Sequence, residues 1–246
     1  MKTVIIIPAR YGSSRYEGKP LIKINGVPLV IRVARKCSLA INKKNIFIAT
    51  DDTRISKVAE LYGYQYIMTS KKNLTGTDRV AEASEKLNAK IIINVQGDEP
   101  LINPKDIKKV ISEKKKFGNK VICGYTNLRK DENVKRKSIP KIVVNEKEEL
   151  IYISRNPIPI TKSIKKDKLI KYYKQVCIYA FNKNELNKFK SFKRKSILEK
   201  IEDIEILRFY EMNIRIKMVK VSNSAVAVDE PSDKKKVDRI LNEKKL

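Results

Sequence analysis

Three cations fall within ten residues of the chain's first buried run: Arg10, Arg15 and Lys19, in Pro8-Ala9-Arg10-Tyr11-Gly12-Ser13-Ser14-Arg15-Tyr16-Glu17-Gly18-Lys19-Pro20-Leu21. A triphosphate needs several cations and backbone amides, because charge grows on the pyrophosphate as it leaves. Gly12 and Gly18 let the backbone approach phosphate oxygens. Three cations alone are as compatible with a solvated basic turn. A β-branched run before them and a helical pattern after them favour phosphate binding, with Ala9, Arg10, Gly12, Ser13 and Lys19 as the contacts. The pattern is neither GxxxxGK[ST] nor GxGxxG.

A second segment is Gln96-Gly97-Asp98-Glu99-Pro100, which follows another buried run. Asp98 there can hold Mg²⁺ on a triphosphate, although an Asp in a turn is more often a cap or turn former. Gly76-Thr77-Asp78-Arg79 reads as a helix start with a Thr cap. Asp229 reads most simply as the N-cap of the last helix. The chain has no histidine. That excludes Ser-His-Asp and Cys-His sites, an imidazole shuttle and any His-ligated metal. Acid–base work falls to carboxylates, Lys, Tyr, Cys or a metal-bound oxygen, and a metal held by carboxylates would be hard, Mg²⁺ first.

Positioning these residues requires a sheet. Lys2 to Ile7 reads as a strand, Pro28 to Ala40 as a helix and Asn45 to Ala49 as a strand. A helix capped by Asp52 or Thr53 runs to about Tyr62, and Tyr64 to Met68 is a strand. Thr77 to Leu87, Lys90 to Val95, Asp106 to Phe117 and Val121 to Tyr125 continue the alternation. It predicts an α/β fold: a mostly parallel, Rossmann-like sheet with helices on both faces, and ligands at the carboxyl ends of its strands. Further on, Lys141 to Val144, Ile151 to Ser154, Tyr172 to Phe181 and Ile214 to Val221 read as strands. Ser196 to Met212 reads as one strong helix, and Ser232 to Leu246 as a charged terminal one. With no linker or repeat, the expectation is a single domain. Residues of about 1–130 form the nucleotide part, 131–220 an inserted sugar-binding and dimer lobe, and 221–246 a returning segment.

The first motif resembles the N-terminal signature of the 3-deoxy-manno-octulosonate cytidylyltransferases, the CMP-Kdo synthetases. The resemblance spans nearly the whole chain, in order: Ile24-Asn25-Gly26-Val27-Pro28, Ala49-Thr50-Asp51, Met68-Thr69, Gly76 to Arg79, Asn94 to Pro100, Ser154-Arg155 with Ile158-Pro159, Ile178-Tyr179, Leu198-Glu199 with Glu202, Glu205, Leu207 and Arg208, and Val228-Asp229 with Pro231. It implies a fold of the nucleotide-diphospho-sugar transferase type and transfer of CMP from CTP to an acidic eight-carbon sugar, for lipopolysaccharide or other surface polysaccharide. It implies catalytic roles for Arg10, Arg15, Lys19 and Asp98, and Asp98 and Asp229 as Mg²⁺ ligands. Gly76, Thr77 and Arg79 are implied at the nucleotide, and Gln96, Arg155, Tyr179 and Glu205 at the sugar. A homodimer is implied too. Two departures touch the sugar side: Gln175 stands where the family has His, and Ser224 to Val228 replaces a glycine-rich approach to Asp229. They leave an amino analogue of the sugar, or a sialic-type acid, open. Glu199, Glu202 and Glu205, three residues apart, also fit a solvated helical face balancing Lys200 and Arg208.

The chain's 246 residues carry 55 Lys and Arg against 28 Asp and Glu, a net charge of +27. Such a charge attracts polyanions. Here the lysines are spread along the whole length without interleaved aromatics, and tryptophan is absent. No nucleic-acid partner is expected, and a non-enzymatic anion-binding protein is the competing class. Cys37, Cys123 and Cys177 form no CxxC, which suits a reducing, cytoplasmic setting. No apolar run is long enough for a membrane span, and none at the N-terminus reads as a signal peptide.

Overall fold

The computed structural model describes residues 2–12, 16–162 and 170–243. The strands are β1 (Thr3–Ala9), β2 (Lys23–Ile24), β3 (Val27–Pro28), β4 (Ile46–Thr50), β5 (Gln65–Met68), β6 (Ile91–Val95), β7 (Val121–Asn127), β8 (Lys141–Val144), β9 (Leu150–Ser154), β10 (Tyr173–Phe181) and β11 (Ile216–Lys220). The helices are α1 (Leu29–Ser38), α2 (Thr53–Leu61), α3 (Gly76–Glu85), α4 (Pro104–Lys116), α5 (Lys183–Ser191), α6 (Ile197–Glu202), α7 (Ile206–Glu211) and α8 (Pro231–Glu243).

Alternation along β1 builds two cores at once, since successive side chains point to opposite faces. Ile5, Ile7 and Ala9 pack with α1, α2 and α4 residues such as Val33, Ile55 and Val110. Val4 and Ile6 pack with Val80 of α3, Phe189 of α5 and Phe209 of α7. Every one of these is buried, as expected for a sheet covered on both faces.

The main sheet runs β11-β7-β10-β6-β1-β4-β5. β1 lies between β4 and β6, parallel to both. β4 to β5 and β7 to β11 are parallel pairs. β10 enters antiparallel between β6 and β7, and β8 with β9 extends from its early residues. The stretch from 131 onward therefore returns two strands, β10 and β11, to the main sheet. A third, smaller core forms where α8 packs Val237 and Leu241 against Ile24, Leu29 and Val228.

Most expected elements appear within a few residues of their predicted ends. The single helix expected from Ser196 to Met212 is two short ones. Asp203 adopts a left-handed backbone, φ 51°, and ends α6; α7 begins at Ile206. α5 was not expected, because Leu186 and Phe189 are the only apolar residues on its buried side. The cap of α3 is Thr75, whose side chain accepts from Asp78 N–H, and Thr77 lies inside the helix. Asp229 is not the cap of α8. It lies two residues before the helix begins at Pro231, and Asp233 of the first turn reaches back to accept the Asp229 and Glu230 amides at 3.0 Å each. The segment Lys244 to Leu246 of the expected terminal helix lies outside the described residues.

The loops after β1 and β6 touch through a glycine. A Cβ on Gly97 would stand 2.8 Å from the Pro8 carbonyl oxygen, whereas one on Gly12 would meet nothing within 4 Å. Backbone cannot yield as a flexible side chain does, so Gly97→Ala should lower stability by about 1–3 kcal/mol. At roughly 2–4 °C per kcal/mol for a chain of this size, its thermal midpoint should fall visibly in calorimetry, and that of Gly12→Ala should not. Equal midpoints would mean the two loops can separate.

Candidate active site

Two adjoining cavities, of about 300 and 430 Å³, open where the carboxyl ends of β1 and β6 meet the segment between α6 and α7. Each falls in the size range of small-molecule sites. Gln96, Asp98, Arg155, Glu205 and Asp229 line both. The first is completed by Ala9, Arg10, Lys19, Gly76 and Arg79. The second is completed by Gln175 and Tyr179. Sequence-predicted nucleotide and sugar residues thus meet in neighbouring cavities with a shared wall. Gly12 lines neither cavity, and Thr77 is buried and contributes its amide. Ser13 and Arg15 lie outside the described residues.

At the shared wall, the Lys19 ammonium donates to Asp98 at 2.7 Å and to Asp229 at 3.5 Å. Gly18, φ 65°, turns the chain just before Lys19, where the Tyr11 ring would lie 3.3 Å from an added Cβ. The Arg54 guanidinium covers that same ring, 3.2 Å from its centre. The Val228 amide donates to the Asp98 carbonyl at 2.9 Å, which holds Asp229 next to Asp98. Burial works to lower the Lys19 pKa, but the two carboxylates outweigh it and raise the pKa above its ordinary value. Lys19 therefore stays protonated.

These carboxylates fit Mg²⁺. Their oxygens converge on one cationic centre, which the Lys19 ammonium supplies here. No cluster of three or more metal-binding side chains occurs among the described residues. Two carboxylates leave the remaining octahedral positions to phosphate oxygens and water, the usual arrangement for this ion.

The first turn of α3 is held from three sides. Glu205 accepts the Gly76 and Thr77 amides at 3.0 and 2.8 Å. Arg79 donates to Asp51 and Thr69. The Gln96 amide group packs against Gly76, 3.2 Å from where a Cβ would stand. Burial raises the Glu205 pKa although the two amides favour its ionised form. Glu199, Glu202 and Glu205 are no solvated face: Glu199 is fully buried against Arg208, and Glu202 accepts from Ser154 and the Arg155 amide. The Arg155 side chain donates to the carbonyls of Lys137, Glu202 and Asp203. Those bonds fix its direction and leave two of five N–H groups for a ligand. Tyr179 is buried, and its phenol is raised well above the ordinary value, by burial first and then by Cys177 and Cys123. It acts as a neutral donor. The Gln175 amide nitrogen donates to the Cys123 sulfur at 3.6 Å.

Glu99 was not singled out by its type or spacing. Its side chain is buried beside Asp98, and one carboxyl oxygen has no hydrogen-bond partner among the described residues. Its place next to Asp98 in the Gln96 to Pro100 segment was the available signal.

A mostly parallel sheet whose first βα loop brings a basic segment, and whose fourth brings one carboxylate to meet a second from the segment before α8, all around one cavity, defines a nucleotidyltransferase. The chain belongs to the cytidylyltransferase family, whose model matches residues 4–216. It is 33% identical over 240 residues to the Escherichia coli 3-deoxy-manno-octulosonate cytidylyltransferase, covering 98% of this chain and 96% of that one. It is 34% identical over 247 residues to the 8-amino-3,8-dideoxy-manno-octulosonate cytidylyltransferase of Shewanella baltica, covering 98% and 99%. The solved structure of a CMP:2-keto-3-deoxy-manno-octonic acid synthetase complexed with CTP superposes with a TM-score of 0.90 at 34% identity, covering 99% of this chain and 100% of that one.

Glu99 gives the site a pH signature. Burial, then repulsion from Asp98, pushes its carboxyl from the usual 4.5 up to about 8. Between those values the folded chain keeps a proton that the unfolded chain has lost, so stability falls as pH rises through that window. With EDTA present, Glu99→Gln should lose less of its urea midpoint from pH 5 to 8 than the unaltered chain. Identical slopes would show that Glu99 is ionised in the fold.

Proposed function

We propose that this protein couples CTP to an acidic eight-carbon sugar, 3-deoxy-manno-octulosonate or its 8-amino analogue, releasing pyrophosphate. The observation that carries this reading is the pair of adjoining cavities. One is walled by the Lys19 loop and the α3 turn, the other by Gln175 and Tyr179, and Asp98, Asp229 and Glu205 lie at their junction. By function, the division is about 1–130 for the nucleotide, 131–220 for the sugar and the dimer contact, and 221–246 for the return of Asp229.

The anomeric hydroxyl oxygen of the sugar bonds to the α-phosphorus of CTP, and the bond from that phosphorus to the bridging oxygen of pyrophosphate breaks in line. Arg10, Arg15 and Lys19 hold the phosphates and meet the charge growing on the leaving group. The α3 turn, with Gly76, Thr77 and Arg79, faces the cytosine nucleotide. Arg155 offers its remaining N–H groups to the sugar carboxylate, and Gln96, Tyr179 and Gln175 meet its hydroxyls. No imidazole is available for the hydroxyl proton, so carboxylate oxygens are the acceptors this wall offers. Asp98 and Asp229 would hold Mg²⁺, which when bound neutralises phosphate charge and lowers the pKa of an attacking hydroxyl.

A cytoplasmic homodimer supplying surface polysaccharide synthesis completes the reading. Three exposed isoleucines support the dimer: Ile160, Ile197 and Ile201, at 78, 68 and 73% exposure. The last two stand four apart on α6. Among the described residues no helix is long and apolar enough to cross a membrane.

The deciding measurement is pyrophosphate release with Mg²⁺ and CTP, with the octulosonate, its 8-amino analogue and a sialic acid offered separately. Release is expected with one eight-carbon acid and not when UTP replaces CTP. Asp98→Asn should turn over roughly 100-fold more slowly with its fold intact; a normal rate would remove Asp98 from the reaction. Sedimentation should give twice the chain mass, and Ile197→Lys with Ile201→Lys should halve it. A monomer in the unaltered chain would discard the dimer.

A further inference from the structure

Arg208 is a cation with no solvent exposure, set where α3, α5, α6 and α7 converge. Its Nε and Nη2 donate to the two oxygens of Glu199, both at 2.7 Å. Its Nη1 and Nη2 donate to the two oxygens of Asp78, at 2.7 and 3.2 Å. Nη1 also reaches the Phe189 carbonyl at 3.4 Å, and the guanidinium stacks on the Phe189 ring, 3.7 Å from its centre. All five N–H directions of the fork are thus occupied. Burial works to lower the Arg208 pKa, but its bonds to Glu199 and Asp78 raise it. A lysine could not reproduce two bidentate contacts.

The carboxylates are themselves anchored. Asp78 accepts the hydroxyl of Thr75, the cap of α3, at 2.7 Å. Glu199 accepts the Ser196 amide at 3.0 Å. One side of the fork therefore grips the turn that carries Gly76 and Arg79. The other grips α6, which leads into the segment 203–205 at the shared wall. A buried ion triad of this kind adds little net stability, because desolvation offsets its attraction, and apolar residues of similar volume often replace it without loss. What such residues would not reproduce is the directional tie between the two segments.

We propose that the Asp78–Arg208–Glu199 triad is a positioning device that sets the nucleotide turn in register with the sugar wall, with Arg208 as its central positioning residue. The inference rests on the reading that this chain joins CTP to a sugar acid. In-line transfer requires the attacking oxygen and the α-phosphorus to be aligned. The α3 turn borders the nucleotide cavity, and the segment 203–205 borders the sugar cavity. A relative shift near 1 Å is enough to cost about 100-fold in rate. Asp78 and Arg208 line neither cavity, and Glu199, at the edge of the first, is without solvent exposure and turned to Arg208, so the triad's contribution falls on kcat and not on the binding of either substrate.

The test replaces the triad as a unit in the full chain: Asp78→Asn, Glu199→Gln and Arg208→Met together, which leaves no buried charge unpaired. Folding is followed by circular dichroism and the thermal midpoint. CTP binding is measured alone by calorimetry, and pyrophosphate release with both substrates saturating. The expected result is a folded protein with a CTP Kd within threefold of the unaltered chain and a kcat about 100-fold lower. Arg208→Lys, which keeps the charge and loses the fork, should share the fall in kcat. Full turnover in the triple variant or in Arg208→Lys overturns the proposal. So does a lowered CTP affinity with unchanged kcat. A triple variant that does not fold overturns it as well, since the triad would then hold the fold together. Failure of the underlying reading is separately visible: the unaltered chain would release no pyrophosphate with any sugar acid, and the proposal would fall with it.

Discussion

Lys19 donates to two carboxylates that the chain supplies from 79 and 210 residues further on. Bringing those three side chains together constrains much of the architecture. β1 and β6 must be neighbours, so that the loops leaving their carboxyl ends face each other. They must also approach closely enough for Gly97 to rest on the Pro8 carbonyl, which only a residue without a Cβ allows. The last helix must pack back on the β2–β3 hairpin, because its apolar side fixes Val228 and with it Asp229. The Lys19 centre is thus also the point where the first and last parts of the chain are joined.

The half of the site built on regular strand–helix alternation was legible in the sequence. Buried parallel strands announce themselves as β-branched runs, and the charged and glycine residues just after them fall where such sheets bind ligands. Lys19 and Asp98 were picked out that way, whereas Gly76 was placed at the nucleotide by the family resemblance. The alternative of a solvated glutamate face around α6 and α7 does not hold. Spacing of three residues between glutamates describes a face only if the helix is continuous, and the left-handed backbone at Asp203 breaks it. The three carboxylates then take different partners: a buried guanidinium, a strand end and a helix N-terminus. α5 was missed because two apolar residues are too few to define a period. Glu99 carried no pattern of its own, and only its burial distinguishes it from a turn carboxylate.

Charge at the site does not follow charge of the chain. A net +27 is distributed over the whole sequence, and at the cavity wall acidic residues stand beside the basic ones. The loop after β1 brings Arg10 and Lys19 to that wall. Asp98 and Asp229 offset that charge by pairing with Lys19, and Glu205 turns its oxygens to backbone amides. Such mixed charge suits a reaction in which negative charge must arrive, move and depart again.

β10 lies between β6 and β7, yet it is the tenth strand in the sequence. While the chain is being made, β6 keeps an open edge until residues near Phe181 leave the ribosome. The N-terminal half then holds the loop after β1 and Asp98 without the strand that closes the sheet. Asp229 arrives later still. Between the emergence of β6 and that of β10, an emerging chain therefore exposes an unpaired, isoleucine-rich strand edge, the kind of surface on which strands from other molecules pair. Folding of this enzyme is a race between completion of the sheet from within and its completion by a neighbour.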